Sequence, residues 1–294
     1  MIGRLVSKIL FKNKPRTKFI PVRLSPAEVE EKVFLGGKDI TWQHCIVCHD
    51  PFFMAVWSNE GLPSEGTVQI KKDQKLRAEV EVKRKQTVGD ISVYEILKSR
   101  CYQLPYWHQY ILQKRYFLYK KKDTFLQGMI YAAMYSFPRR VITVSYKDES
   151  YFNIFPMDFQ CFVESAGVLI LGLRTTNTTL KKILASGKVV VSDTTSVDIK
   201  TIYDLGRNHS SAPPAVDQLP FGVIKSESFG FYVPEFSASY MEVEIVNHVE
   251  LGTHTMMVGR MVTSKKLRED RTFIHHVHFF EGTIMDFTLL PIVQ

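Results

Sequence analysis

The sequence has little of what marks secreted or membrane-spanning proteins. It contains four cysteines in 294 residues, too few for a disulfide scaffold, which predicts a reducing, cytoplasmic setting. No run of about 18 apolar residues occurs, so neither a transmembrane helix nor a membrane partner is predicted. Residues 1–10 contain Arg4 and Lys8 and lack both a continuous apolar stretch and a small-residue cleavage site, so they do not resemble a signal peptide.

Internal repeats and low-complexity segments are also missing. Hydrophobic residues make up 45% of the chain, which predicts a packed core and not disorder. The length fits one large domain or two ordinary ones. The formal net charge of +8 is compatible with an anionic ligand, a membrane surface or a nucleic acid, and it does not choose among them.

Residues 1–130 are predicted to form an α+β region of unknown role. Apolar residues at helical spacing within residues 2–10 predict a helix that docks on its own domain, in preference to one that binds an anionic membrane. Apolar and charged residues alternate over residues 76–83, which predicts a half-buried strand. Together with residues 68–70 it predicts a β-hairpin.

Two helical features are predicted before residue 138. The capping-box pattern at residues 92–95 predicts a helix start, with Val93, Ile96 and Leu97 as its apolar residues. Residues 102–137 mix aromatic and basic side chains at nearly helical spacing. This favours an amphipathic helix with a solvated basic face over a site for single-stranded nucleic acid, so no nucleic-acid partner is predicted.

Cys45, Cys48 and His49 match C-x-x-C-H, the attachment signature of c-type haem. Attachment would require exposed thiols and export. A strand would instead point Cys45 and Cys48 to opposite faces of a sheet. A structural zinc site would need further ligands at suitable spacing. The favoured interpretation is a semi-buried strand, and a ligand role for the motif stays open.

Short apolar runs alternate with turns after residue 138, which predicts an antiparallel barrel or sandwich. One helix is expected near residues 178–186. Residues 204–225 are rich in proline and glycine and predict a long surface loop, which in a small barrel is more often functional than a mere spacer. The apolar runs are residues 141–146, 153–159, 167–173, 188–193, 228–233, 239–248, 254–263 and 272–280.

A polar turn at residues 174–179 joins an apolar strand to the predicted helix. Its arginine and threonine side chains could donate hydrogen bonds to a phosphate, and the helix N-terminus could add backbone amides and a favourable dipole. Threonine and asparagine are equally common in an ordinary capping loop. The residues alone therefore leave a phosphate site and a capping loop both open.

Three histidines, His275, His276 and His278, lie close together in the last apolar run. His276 and His278 would share one face of a strand, which makes a two-histidine metal edge conceivable. No third ligand can be named, so solvent-facing histidines are expected and no metal site is predicted.

Five features in this order resemble the flavin reductase-like family of FMN-binding split barrels. The resemblance covers about residues 138–280 and divides the chain into residues 1–130 and 131–294. The five features are Asn153-x-x-Pro156, Arg174 with its threonine-rich turn, residues 186–191, residues 233–238 after a loop with Asp217, and Gly252-x-His254-x4-Gly259-x-x-Val262.

The resemblance implies a mainly β fold, a Greek-key split β-barrel that forms a homodimer with FMN near the dimer interface. It implies that the Asn-x-x-Pro strand runs beside the flavin ring and that the arginine turn holds the phosphate. His254 is the candidate catalytic residue near the ring or the nicotinamide, although a structural histidine fits equally well. The implied cofactor-binding residues are Thr143, Ser145, Asn153, Ile154, Phe155, Pro156, Met157, Arg174, Thr175, Thr176, Asn177, Thr178 and Thr179.

The function that the resemblance implies is an NAD(P)H-dependent flavin reductase, with free flavin, a monooxygenase partner or another acceptor receiving the electrons. The alternative is an FMN-binding electron carrier or sensor without reductase turnover, whose N-terminal half is an interaction module. Two residues depart from the family pattern. Asp158 replaces a frequent serine, so it either points away from the flavin or tunes its potential, and Thr253 replaces a frequent aspartate.

Overall fold

The computed structural model of the protein describes residues 19–117 and 124–280. The helix predicted within residues 2–10 lies outside this part of the chain. Strands dominate the described residues, so the prediction of a mainly β fold is confirmed. None of the helices in the described ranges has the length and hydropathy that crossing a bilayer requires.

Nineteen strands and four α-helices make up the described structure. The first eight strands are β1 (Phe19–Leu24), β2 (Lys32–Leu35), β3 (Lys38–Asp39), β4 (His44–His49), β5 (Phe52–Trp57), β6 (Glu65–Lys72), β7 (Lys75–Val88) and β8 (Ile91–Cys101). The others are β9 (Arg139–Arg140), β10 (Ile142–Lys147), β11 (Phe152–Met157), β12 (Gln160–Val163), β13 (Val168–Arg174), β14 (Lys188–Ser192), β15 (Val223–Lys225), β16 (Tyr232–Pro234), β17 (Ser239–Leu251), β18 (His254–Lys266) and β19 (Phe273–His278). The helices are α1 (Tyr106–Phe117), α2 (Phe125–Met134), α3 (Leu180–Ser186) and α4 (Ile199–Leu205).

Seven strands of the first half form one antiparallel sheet in the order β3-β2-β6-β7-β8-β5-β4. The predicted hairpin is confirmed as β6–β7, in which Val68 lies opposite Val80. Asp73 and Gln74 turn the chain with φ angles of 48° and 63°. Two consecutive positive φ angles are typical of a tight hairpin, because they match the right-handed twist of the flanking strands.

The helix predicted to start at residues 92–95 is wrong. That segment lies within β8, which is hydrogen-bonded to β7 on one side and to β5 on the other. Val93 and Tyr94 are fully buried, and they belong to different core clusters on the two faces of the sheet. A central strand that is buried on both faces does not alternate strictly between apolar and polar residues, so β8 lacked the usual sequence pattern of a strand. The local capping-box pattern therefore predicted a helix, whereas pairing with β7 and β5 makes the segment a strand.

The second large sheet has the order β11-β10-β14-β17-β18-β13-β12 and curls into a half-barrel. Its edges are β11 and β12, and its core includes Val144, Phe155, Leu171 and Val243. The predicted runs correspond to β10, β11, β13, β14, β17 and β18. Strand β12 was not predicted, and the run at residues 228–233 is mostly a turn that precedes the short strand β16.

The helix predicted near residues 178–186 is confirmed as α3, but the expectation of a single helix is wrong. Helix α4 covers the outer face of the half-barrel, where Ile199 and Ile202 pack in the same cluster as Ile154 of β11. Asp198 caps this helix by accepting a hydrogen bond of 3.0 Å from the Thr201 amide. The aspartate cap and the spacing of the isoleucines were a usable sequence signal.

The two halves of the chain share a third sheet of order β1-β19-β9. Phe19 of β1 lies opposite His278 of β19, and Leu24 lies opposite Phe273 at the other end. Strand β19 confirms the last predicted apolar run. The division of the chain into two domains near residue 130 stays a prediction. Strand β1 of the first half pairs with β19 of the second half.

The two large sheets also pack face to face. A cluster that includes Cys45, Val47, Ile170 and Met256 fills the space between them. Gly172 is at the closest approach, because a Cβ atom there would overlap the backbone of Val47. Glycine at this position lets strand β13 lie directly against β4.

The C-x-x-C-H segment forms β4, and the expectation that its cysteines point to opposite faces is wrong. A bulge at Val47 breaks the pairing with β5, because Ile46 lies opposite Met54 and Cys48 opposite Phe53. The extra residue turns Cys48 to the same side as Cys45. Both cysteines are fully buried between the sheets, so neither thiol is presented to a haem.

Candidate functional site

A cavity of about 360 Å³ lies where the two halves of the chain meet. The second half contributes Asp158, Arg174, His209 and His254, and the first half contributes His49. We call it the histidine cavity. Its other walls are formed mainly by Phe19, Tyr131, Tyr135, Pro156, Met157, Phe159 and Leu173.

The predicted phosphate turn brings one cation to this cavity. Arg174 ends strand β13, is exposed, and lines the cavity. Its guanidinium forms no hydrogen bond or ion pair with the described residues, whereas Thr175 donates to the Thr253 carbonyl at 3.3 Å. The exposed hydroxyls of Thr176 and Thr178 are unpaired within the same described ranges. The turn therefore offers an anion several donors that the described residues do not engage.

Asn177 and Thr179 hold the turn together. The Asn177 side-chain oxygen accepts a hydrogen bond of 2.8 Å from the Thr179 amide, and its backbone carbonyl accepts one of 3.2 Å from Leu180. The buried Thr179 hydroxyl accepts a hydrogen bond of 2.8 Å from Asn153. Two amides at the start of α3 are thus already bonded, so an anion here would meet side chains first.

Strand β11 is an edge strand whose outward carbonyls are occupied by the chain itself. Asn208 donates to the Ile154 carbonyl at 2.9 Å, and His209 Nε2 donates to the Pro156 carbonyl at 2.8 Å. Asn153 fixes the covering segment by donating to the Asn208 carbonyl at 2.9 Å. Sequence analysis missed Asn208 and His209, and their position in the loop expected to be functional was the only signal for them.

The other predicted cofactor residues of β10 and β11 divide into two groups. Pro156 and Met157 line the histidine cavity. Ile154 and Phe155 are fully buried core residues, and Thr143 and Ser145 are buried as well. The Thr143 hydroxyl lies 2.6 Å from the Ser192 hydroxyl. Two atoms, Ser145 Oγ and Asn153 Oδ1, are buried and have no hydrogen-bond partner among the described residues.

His254 is the most buried of the three histidines that line the cavity. It is 2% exposed, its Nδ1 lies 3.0 Å from the Thr253 hydroxyl, and its ring packs edge-on against His49 with centroids 4.7 Å apart. Burial, reinforced by the nearby His49 and Arg174, lowers the pKa of His254 to about 3. The imidazole is therefore neutral at physiological pH, which suits hydrogen bonding and not the supply of a positive charge.

Asp158 carries the negative charge of the cavity. Its Oδ2 accepts hydrogen bonds of 2.8 Å from the Tyr135 hydroxyl and 2.8 Å from His276 Nδ1. Burial alone would raise the pKa of the carboxyl, but the contacts with His276 and Tyr135 hold it below its ordinary value. Asp158 is thus ionised and its charge is compensated within the protein. Nothing in the sequence signalled these partners.

The expectation of solvent-facing histidines in β19 is wrong. His275 is 3% and His278 is 1% exposed, because β19 is the central strand of the three-stranded sheet. His276 is partly buried and forms the contact with Asp158. Burial lowers the pKa of His275 to about 4. The described ranges contain no group of three or more metal-ligating side chains.

Comparison with known proteins gives a result only at the level of structure. No protein-family model and no curated protein matches the sequence. Flavin reductases and FMN-binding split-barrel proteins match about half of the chain. An FMN-binding protein from Thermus thermophilus is 17% identical, with 45% of this chain and 73% of that chain covered and a TM-score of 0.39.

Two further solved structures are similar to the same extent. An NADH:FAD oxidoreductase from Streptomyces globisporus is 19% identical, with 51% of this chain and 90% of that chain covered and a TM-score of 0.42. A nitrilotriacetate monooxygenase component B from Mycobacterium thermoresistibile is 14% identical, with 52% and 87% covered and a TM-score of 0.44. Similarity this low assigns no residue, so the site rests on the geometry of this chain.

Proposed function

We propose that the protein is a flavoprotein of the flavin reductase type, which binds FMN at the histidine cavity and takes NADH or NADPH as co-substrate. The observation that carries this proposal is the Arg174 guanidinium, which has no hydrogen-bond or ion-pair partner among the described residues and lies beside a cavity with aromatic and aliphatic walls. A guanidinium without a carboxylate partner is suited to a phosphate group.

The residues of the site fit FMN in two respects. Arg174, Thr176 and Thr178 would bind the phosphate, with Asn177 and Thr179 keeping the turn in shape. The walls of the cavity, including Pro156 and Met157, would contact the planar ring. When bound, the flavin supplies the redox chemistry, while the protein supplies binding, orientation and electrostatics.

His254 and Asp158 would set the electrostatics around the ligand. The neutral His254 would position the nicotinamide or the ring edge by hydrogen bonding. The charge of Asp158 would add little repulsion against an anionic ligand, because Tyr135 and His276 already donate to its carboxylate. Asp158 is therefore proposed to be an internally balanced group.

The proposal extends to the location of the protein, its oligomeric state and its electron acceptor. We expect a cytoplasmic homodimer that passes electrons to free flavin, to a monooxygenase partner or to another acceptor. A carrier or sensor without turnover is the second candidate. It is favoured by the presence of His49, Tyr131 and Tyr135 in the cavity wall, since bulky side chains there limit access for a nicotinamide.

The flavin proposal is tested by titrating the purified full chain with FMN and with riboflavin, which lacks the phosphate. We expect FMN to bind more tightly, and Arg174→Ala to weaken FMN about tenfold to a hundredfold while riboflavin changes little. Arg207→Ala is the matched control, because that exposed arginine pairs with Asp204 at 3.4 Å. Equal binding of FMN and riboflavin by the unaltered protein would remove the phosphate assignment.

Turnover is tested separately on the FMN-loaded protein. Anaerobic addition of NADH or NADPH should bleach the flavin absorbance if the protein is a reductase. A loaded protein that keeps its oxidised spectrum with both nucleotides but is reduced by dithionite would instead be a carrier or sensor.

A further inference from the structure

A second cavity, of about 390 Å³, lies beside the end of the β1–β19 pair where Leu24 meets Phe273. It shares no lining residue with the histidine cavity. We call it the arginine cavity and define it by Arg139, Arg140 and His44 together with the aromatic residues Trp42, Phe137, Phe162 and Phe273.

The two arginines of this cavity are buried or half-buried cations that have no carboxylate partner in the described part of the chain. Arg139 is 3% exposed, and the one hydrogen bond of its guanidinium with the described residues runs from Nε to the Met134 carbonyl at 3.1 Å. Its Nη2 has no acceptor among those residues. The Arg140 guanidinium is stacked 3.6 Å over the Phe273 ring, and its Nε likewise lacks an acceptor in the described ranges.

The carboxylates near these arginines are engaged elsewhere or exposed. Asp158 accepts hydrogen bonds from Tyr135 and His276, and Asp193 accepts from the amides of Ala238 and Ser239 at 2.8 and 2.7 Å. Glu164 lines the cavity, but it is exposed and forms no ion pair with either arginine. Burying a cation without an opposite charge costs free energy. A carboxylate of the protein beside the arginines would be the simplest way to offset this cost.

His44 adds a polar group but no further positive charge. Its Nδ1 donates to the Ile40 carbonyl at 2.9 Å, and its Nε2 is buried without a partner among the described residues. Burial and the neighbouring Arg139 lower the pKa of His44 to about 3, so the ring is neutral. The positive charge of the cavity therefore comes from the two arginines.

The walls indicate what the rest of a ligand would look like. Four aromatic side chains, together with Pro26, Val29 and Pro138, make most of the lining apolar. Such walls favour a planar, apolar body that stacks on aromatic rings. Polyanions with charge at both ends would leave one charge against this apolar surface without compensation.

We propose that the arginine cavity binds a small carboxylate with a planar apolar body, held through its carboxylate by Arg139 and Arg140. A planar guanidinium can donate two parallel hydrogen bonds to a carboxylate. The proposal is independent of the flavin assignment, because Arg174 lines only the other of the two cavities.

The test uses 2-naphthoate as the probe and isothermal titration of the purified full chain. We expect saturable binding of 2-naphthoate, and binding of the uncharged 2-naphthamide that is at least about tenfold weaker, since a charge-assisted hydrogen bond is lost. Arg140→Met should remove this preference by weakening 2-naphthoate about tenfold or more. Arg207→Met, at an exposed arginine with its own ion pair, is the matched control and should bind as the unaltered protein does.

A second variant protects the test against misfolding of Arg140→Met. Trp42→Ala shortens a half-exposed wall residue, and it should weaken both probes about threefold while the preference for the carboxylate remains. Three results would overturn the assignment to a carboxylate: no saturation by 2-naphthoate at millimolar concentration, equal affinity for acid and amide, or displacement of 2-naphthoate by the same concentration of inorganic phosphate. A fourth result, competition between FMN and 2-naphthoate, would overturn the proposal by placing the probe in the histidine cavity.

Discussion

Acid should destabilise this protein well before its carboxylates are protonated, because three buried histidines are held neutral. Burial is the main cause that lowers the pKa of His44 and His254 to about 3 and of His275 to about 4. In the unfolded chain the same groups titrate near pH 6.5. Below that pH the unfolded state binds more protons than the folded state, so stability falls as pH falls.

The size of the effect follows from the pKa differences. Between about pH 8 and pH 5, a histidine with an unfolded pKa near 6.5 and a folded pKa of 4 or less reduces the free energy of unfolding by about 2 kcal/mol. Three such groups give about 6 kcal/mol, a large part of the stability of an ordinary domain. The loss should level off near the folded pKa values, at about pH 3 to 4.

Urea unfolding followed by tryptophan fluorescence at a series of pH values would measure this slope. His275→Gln removes one of the three groups and should reduce the slope between about pH 6 and pH 5 by about one third. His248→Gln, at an exposed histidine, is the control and should leave the slope unchanged. A free energy of unfolding that stays constant from pH 8 to pH 5 would refute the assignment of neutral buried histidines.

Two further predictions concern the packing of the halves and the charge of the histidine cavity. Gly172→Ala places a Cβ on the Val47 backbone and should cost about 2–3 kcal/mol, lowering the melting temperature by roughly 5–10 °C, while Gly61→Ala, with open space around its Cβ, should have little effect. Equal melting temperatures would contradict the close approach of the sheets. Tyr135→Phe removes a 2.8 Å hydrogen bond to buried Asp158 and should cost about 1.5–3 kcal/mol in urea unfolding at neutral pH. An unchanged midpoint would show that Asp158 does not depend on this donor.

Local sequence patterns were enough to predict the mainly β class, the β6–β7 hairpin, helix α3 and most strands of the half-barrel. These elements depend on alternating apolar residues, on turn residues and on short-range capping, all of which are local in the chain. The polar turn at residues 174–179 was likewise visible, because its arginine and threonines are consecutive. Local patterns could not show which strands pair with each other. For this reason β8, a buried central strand, was predicted to be a helix.

Which side chains are neutral, paired or buried depends on contacts between distant parts of the chain. The bulge at Val47 turns Cys48 inward, the pairing of β1 with β19 buries His275, and the fold brings His276 to Asp158 across 118 positions of the chain. The two arginines of the arginine cavity are consecutive in sequence. Only the packing of both halves around them shields them from water, and it brings no carboxylate of the described residues into contact with them. Burial and long-range contact set these properties, and neither is encoded in the residues next to each group.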